Sequence, residues 1–470
     1  MNTRPHLHER RYLFQAHLPA NLKQSLRVVD CSQKNWNVLI PGSKSVTNRA
    51  LVLAAMSARP IEIQAPLLAD DTWWGFLALD QLGFELSLSH LPESALIRPP
   101  KYTRLNRTSD PHSVLIHVGQ AGTLGRFLPA ALLNWQTVYP DSPLRRFVMT
   151  ADDQLARRPL TPLLSALTEL GAVFEFETKG ESFPLSLSVS QLNGSCSVDS
   201  STSGQFLSGV LLAAAGSART CRITRPRELV QPDYVRMTLG MLNDFGARID
   251  VDNELRNFTV YGQALTSPSV YRVEADASTA CYYAGLACVL GVELEVANIG
   301  STTIQPDFEF VSILQKFGFH VLVKSDSFRV YGSRPRSNVL VPLKLDMSRC
   351  SDQALTVGVM SIITGIPVEV RGVAHIRHHE SDRIASFCRN CRSLGIEVDE
   401  FPDGFVVRAG IDARLLAGEW PTHNDHRFAL SGIVLSAWAH GVRVLNPACM
   451  QKTAPSFVKH LQTLGVNFES

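Results

Sequence analysis

The sequence predicts an α/β protein of two domains, each built from three copies of one strand and helix unit, and three observations carry that prediction. The first is size: 470 residues with 45% hydrophobic content exceed what a single compact core holds, so two or more folded domains are expected. The second is a short pattern repeated six times, in which a helical stretch ends in Leu or Phe, then Gly, then a strand-like run. Its copies are QLGFELSLS, ELGAVFEFE, DFGARIDVD, KFGFHVLVK, SLGIEVDEF and TLGVNFES, placing Gly83, Gly171, Gly246, Gly318, Gly395 and Gly465 at intervals of 70 to 88 residues. The third is a polar cluster that opens a very apolar helix ahead of each copy.

The six openings read SKSVTNRALVLAAMSA, AGTLGRFLPAALL, SSTSGQFLSGVLLAAA, DASTACYYAGLACVL, RCSDQALTVGVMSIIT and NDHRFALSGIVLSAWAHG. Helices apolar nearly all round belong in a core, whereas the amphipathic ones that end in Gly belong outside. The glycine itself suits a helix C′ position in the left-handed region, where a Cβ would clash. Each unit therefore reads as strands with one buried and one covering helix. The period is far longer than a solenoid repeat, which favours two domains of three units. The Gly, Ser and Pro punctuation of YGQALTSPSVY, Tyr261 to Tyr271, marks the hinge between them.

A formal net charge of +2 gives no global field for nucleic acid or an anionic membrane, so any anion site must be built locally. The longest apolar stretches, such as Phe206 to Ala215 and Ala354 to Gly365, fall short of the roughly 18 to 20 residues of a membrane span, and a soluble protein is expected. Nine cysteines scattered from Cys31 to Cys449 point to a reducing cytoplasm rather than a disulfide scaffold. The N-terminus MNTRPHLHERRYLFQAHLP lacks a continuous apolar segment and reads as a polar extension, not a secretory signal.

Chemistry concentrates where the buried helices begin, because helix N-termini present free N–H groups and a positive dipole end. PGSKSVTNRA supplies Lys44, Ser45 and Arg49, without the full spacing of a P-loop. Arg126, Arg158, Arg383, Arg427 and Lys452 lie beside Gly, Pro or a helix start, where cations suit a doubly anionic small substrate. Candidate acids and bases are Asp307, Glu380 and His426; Asp307 equally fits a helix N-cap after Pro306, and Glu380 an ion pair with Arg383. His375, His378, His379 and Glu380, or His423 with His426, do not match H-E-x-x-H, so no metal site is expected. The lone CxxC of Cys388 and Cys391 reads as packing.

PGSKSVTNRA, AGTLGR, ARRPL, SSTSGQFLSG, DASTACYY, TTIQPD, HHESDR, NDHR and QKTAP occur in the order found in the enolpyruvyl transferases, which the chain resembles from about Val38 to its C-terminus. The resemblance implies an inside-out α/β fold of two domains, each with three βαβαββ units in pseudo-threefold arrangement, closing over a cleft. It implies an inserted domain, 43–265, holding units one to three. The other domain is discontinuous: 1–42, comprising an extension 1–25 and the first strand, with 266–470 carrying units four to six. The implied reaction moves the enolpyruvyl group of phosphoenolpyruvate to the 5-hydroxyl of shikimate 3-phosphate, releasing phosphate, in a cytoplasmic monomer without metal or organic cofactor. Another cyclic alcohol as acceptor stays open.

By motif position, the resemblance assigns Lys44, Asp307, Glu380 and His426 to catalysis, with Asp307 and Lys44 bracketing the acceptor hydroxyl and Glu380 shuttling the methylene proton. Lys44, Gln120, Gly122, Thr123, Arg158, Gln205, Arg383, Arg427 and Lys452 would bind phosphoenolpyruvate. Ser45, Arg49, Ser203, Gly204, Gln205, Gln231, Tyr234, Asp307, His375 and His379 would bind the acceptor. Several positions depart from the usual pattern: Gln120 for Asn, Gly204 for Ser, Gln231 for Ser, His379 for Lys, His375 for Asn, and Phe127 for Pro after Arg126. A protonated His379 is one way to keep an acceptor phosphate bound. Phe127 is expected to shift the Gly122 loop.

Overall fold

The computed structural model describes residues 18–102, 110–177, 181–332, 342–408 and 412–470. The first 17 residues of the expected extension lie outside them. Six buried helices form where polar clusters open apolar runs: α1 (Lys44–Ala55), α2 (Gly122–Leu133), α3 (Gly204–Ala215), α4 (Ala277–Leu290), α5 (Ala354–Thr364) and α6 (His426–Ser436). Every residue of α2 and α6 is buried, as expected of helices with no polar face. Polar side chains start three of them: Ser203, Asp276 and Asp425 accept from the backbone N–H groups of Gln205, Thr279 and Arg427 at 3.3, 2.7 and 2.9 Å.

Each buried helix belongs to a βαβαββ unit with its own four-stranded sheet. In the α3 unit, Gly194–Ser197 runs parallel to Cys221–Thr224 across the helix, and the covering helix Pro232–Asp244 leads to the hairpin of Ile249–Val251 and Asn257–Val260. Burial alternates along Cys221–Thr224, the period of a strand with one face on the core. The six repeat glycines all follow covering helices and have φ between 76° and 102°, so the C′ role read from the sequence has its steric cause.

The chain packs as two compact units, one of Gly42–Glu274 and one of residues 18–41 with Ala275–Ser470. The first carries α1 to α3. Its opening unit takes its first strand from the far end of the segment: Val270–Arg272 pairs in parallel with Ile61–Gln64, and the Tyr261 to Tyr271 stretch leads into that strand. The second carries α4 to α6, and here the N-terminal residues complete two sheets. Asn35–Val38 pairs with Glu293–Val296, while Ser25–Cys31 lies between Gly441–Leu445 and Val466–Glu469, with Arg27 opposite Glu469. Among the described residues no helix is long and apolar enough to cross a membrane.

Candidate active site

In the first unit, Lys44 opens α1 with its ammonium 3.4 Å from the buried carboxylate of Asp71; half-buried Ser45 follows it. Arg49, one turn on, is buried and fully engaged. Its Nε donates to Thr238 Oγ1 at 2.9 Å, Nη1 to the Ser45 carbonyl at 3.0 Å and Nη2 to the Tyr234 carbonyl at 3.1 Å. Its guanidinium stands 4.8 Å over the ring of Phe127, so the Phe expected to shift the Gly122 loop forms the aromatic floor beneath a cation. Burial pulls the Arg49 pKa down to about 10, which still leaves it charged at neutral pH.

At the start of α2, a Cβ on Gly122 would lie 2.9 Å from Arg126 Nη1 and 3.1 Å from Arg158 Nη1. Glycine therefore lets two guanidiniums crowd the helix start, beside Gln120 and the buried Thr123. Arg126 Nη1 donates to the Gly122 carbonyl and to Gln205 Oε1, both at 3.1 Å, linking the starts of α2 and α3. Two of the departures from the family pattern meet at one turn. A Cβ at Gly204 would meet the Val230 carbonyl at 2.8 Å, and the next residue, Gln231, adopts a left-handed backbone of φ 53° and ψ 54° before the Pro232–Asp244 helix. Serine at position 204 would collide with that turn.

The second unit gathers carboxylates and cations in one bonded cluster. Arg383 donates from Nε to Asp425 at 2.8 Å, from Nη1 to Asp352 at 2.8 Å and from Nη2 to Glu380 at 2.9 Å. Lys452 holds the other oxygen of Glu380 at 2.9 Å. Arg427 reaches Asp352 at 2.6 Å, Tyr282 Oη at 3.2 Å and Ser278 Oγ at 3.2 Å. Burial pulls the Arg383 pKa down, yet Asp425, Glu380 and Asp352 outweigh it and leave the group raised. His426 is buried at the start of α6 with Nδ1 3.7 Å from Asp425.

Asp307 lies behind this cluster, in the turn Pro306–Phe308, with the Ser278 hydroxyl donating to it and Gln353 Nε2 at 3.4 Å. Burial, reinforced by the charge of Asp352 and opposed by Arg427, pushes its pKa up to about 6. The side chain of Asp307 is only 1% exposed, that of Asp352 18%. Of these two carboxylates, Asp352 is therefore the more exposed.

Burial, and then the charge of Arg383, hold the His379 pKa well below the usual histidine value, which disfavours the protonated form that one way of keeping an acceptor phosphate would use. Its neighbour His375, bonded through Nε2 to Ser351 Oγ at 2.8 Å, is lowered by burial to about 4. Both are neutral near pH 7 and bring hydrogen bonds rather than charge. Among the described residues no group of three or more His, Cys, Asp or Glu is placed to hold a metal ion. Cys388 and Cys391 are buried in the helix Arg383–Ser393.

Sequence reasoning missed Asp71, Ser278, Asp352 and Asp425. Asp425 and Ser278 lay inside the recognised NDHR and DASTACYY motifs, where cap-forming Asp or Ser at a helix start was a usable signal. Asp352 lies in the turn Ser351–Gln353 just before α5, in RCSDQALT, but only tertiary packing shows that it joins two arginines.

The fold is matched by solved structures. An EPSP synthase from Acinetobacter baumannii superposes with a TM-score of 0.75 at 21% identity, covering 95% of this chain and 99% of that one. The enolpyruvyl transferase NikO from Streptomyces tendae gives 0.70 at 17%, covering 95% and 98%. The architecture is thus the two-domain inside-out α/β fold of the enolpyruvyl transferases. The profile of one family, EPSP synthase (3-phosphoshikimate 1-carboxyvinyltransferase), matches residues 32–461, and the chain belongs to that family. Similar relatives include 3-phosphoshikimate 1-carboxyvinyltransferase 2 of Halalkalibacterium halodurans, 33% identical with 92% of each chain covered. The 3-phosphoshikimate 1-carboxyvinyltransferase of Edwardsiella ictaluri is 32% identical over 90% of this chain and 95% of its own.

Proposed function

We propose that the protein transfers the enolpyruvyl group of phosphoenolpyruvate to the 5-hydroxyl of shikimate 3-phosphate and releases phosphate. The observation that carries this reading is the cluster in which Glu380 is held by Lys452 and Arg383 beside Asp352 and Arg427. The acceptor hydroxyl loses its proton to the Asp352 and Asp307 pair, entering at the more exposed Asp352, as its oxygen bonds to C2 of phosphoenolpyruvate. Glu380 in its protonated form delivers a proton to C3, then takes one back as the C2–O bond to phosphate breaks, and the proton drawn from the acceptor hydroxyl leaves with the departing phosphate, so the balance closes on the enol ether product. His426 assists from the start of α6.

Arg383, Arg427 and Lys452 hold the donor's carboxylate and phosphate, as do Lys44, Gln120, Gly122, Thr123, Arg158 and Gln205 of the first unit. Ser45, Arg49, Ser203, Gly204, Gln231 and Tyr234, with His375 and His379 as neutral donors, serve the acceptor. A different cyclic alcohol is the less favoured acceptor, because the family and the named relatives point to the phosphorylated one. The nine cysteines are unpaired, in keeping with a cytoplasmic enzyme, and the working form is taken as a monomer, checked by light scattering.

Purified protein incubated with phosphoenolpyruvate and shikimate 3-phosphate should release phosphate only when both are present. No release would overturn the reading, and a stronger preference for an unphosphorylated cyclic alcohol would transfer it to that acceptor.

A further inference from the structure

The turn that leads into α2 rests on two aromatic side chains that no role above uses. Gly119 has φ 53°, and a Cβ there would lie 2.2 Å from the indole of Trp74, so the backbone lies directly on the ring. Trp74, on the covering helix Asp70–Gln81, donates from Nε1 to Asp70 at 3.4 Å and meets His117 edge-on at 4.9 Å between centroids. His117 ends the strand Ser113–His117 and is held at both ring nitrogens, Nδ1 at 2.9 Å from Thr150 Oγ1 and Nε2 at 3.2 Å from Asp152. The backbone closes the same layer: Asp152 N–H donates to the Gly119 carbonyl at 3.0 Å, and Val118 N–H to the Thr150 carbonyl at 2.9 Å.

One side of this layer leads to Gln120, Gly122 and Thr123, and the other, through the short helix Asp153–Ala156, to Arg158. Those are the two segments whose polar groups must meet one small anion. Displacing one against the other by about 1 Å would pull backbone N–H donors and guanidinium out of joint register, a change that costs up to about a hundredfold in enzymes. Neither ring is a reacting group: Trp74 is buried, and His117 points its nitrogens at Thr150 and Asp152.

We infer that Trp74 and His117 are positioning residues that clamp the Gly119–Thr123 turn to the Arg158 segment and thereby set affinity for the phosphorylated carboxylate donor. The inference rests on the reading of phosphoenolpyruvate as donor. His117→Ala and Trp74→Phe should each raise KM for phosphoenolpyruvate on the order of tenfold while kcat and the acceptor KM stay within about twofold. His117→Gln, which keeps a donor toward Asp152, should recover most of the loss. An unchanged donor KM, or equal rises in both KM values, overturns the positioning role.

Hydrogen–deuterium exchange on the protein without substrates separates the clamp from the donor assignment. In His117→Ala, exchange should quicken in 119–123 and in 152–158 together; if either segment is unchanged, the clamp is refuted. Wild-type protein that binds no phosphoenolpyruvate by calorimetry defeats the donor reading alone, and the exchange result then decides the clamp.

Discussion

The two compact units handle their buried cations in contrasting ways. In the first, Arg49 and Arg126 meet carbonyls, a hydroxyl, an amide and aromatic faces, and Lys44 pairs with Asp71. In the second, Arg383, Arg427 and Lys452 are met by four acids, Asp307, Asp352, Glu380 and Asp425. A cation fed by neutral acceptors keeps its net charge and favours an anion from outside. A cation surrounded by carboxylates instead tunes their protonation, which is the equipment for moving protons. On the proposed reading, the first unit binds charge and the second transfers it.

The largest effect that sharpens this contrast is on Glu380. Glu380→Gln should cut kcat by about 10³ or more, within or above the usual range for losing a general acid and base, while calorimetry shows both substrates still bound. Turnover within tenfold of wild type would remove the proton-carrying role from the second unit. Next, Asp425→Asn takes one of three carboxylates from the buried Arg383 guanidinium, which keeps Asp352 and Glu380, and should cost about 1.5–3 kcal/mol in urea unfolding, the range for a hydrogen bond to a charged group. Arg49→Met in the first unit leaves no carboxylate stranded; it should cost less than Asp425→Asn and should raise the acceptor KM. Equal stability losses would erase the distinction between the units.

A smaller effect follows from Asp307, whose folded pKa of about 6 is raised above its ordinary value of 3.8. The folded state keeps a proton that the unfolded chain has released. The stability this contributes is therefore full below the ordinary value and lost as pH rises through about 6. Relative to wild type, Asp307→Asn should gain stability across that window, seen as a drift in the difference between their unfolding midpoints; a constant difference would contradict the raised pKa. The smallest effect concerns His379: with its pKa well below the usual value, the acceptor KM should show no histidine step between about pH 6 and 8 in wild type or in His379→Gln. A step present in wild type and absent from the variant would restore a charged histidine to phosphate binding.

What the sequence revealed and what it hid divide along physical lines. The six repeats were legible because a left-handed residue after a helix has a local steric cause that strongly favours glycine at each site. The buried helices were legible from composition alone. By contrast, nothing local in Ser25–Cys31 says that it lies beside Val466–Glu469, since strand pairing at that separation is decided by the whole sheet. The site cations stood out beside helix starts, whereas Asp352 did not, because its meaning comes from Arg383 and Arg427 arriving from two other elements. Gly204 and Gln231 stand far apart in sequence; the 2.8 Å approach of a Cβ at 204 to the Val230 carbonyl shows that they meet at one turn.

The strand Ser25–Cys31 also sets an order of events. Residues Gly42–Glu274 complete their three sheets from one continuous stretch, so a growing chain holds all it needs for that unit well before synthesis ends. The other unit has its earliest strand waiting for its latest, Arg27 for Glu469, and contacts of such long sequence separation form slowly. On the ribosome the unit of Gly42–Glu274 is therefore ready first, and the unit that Ser25–Cys31 completes is assembled only once the whole chain has been made.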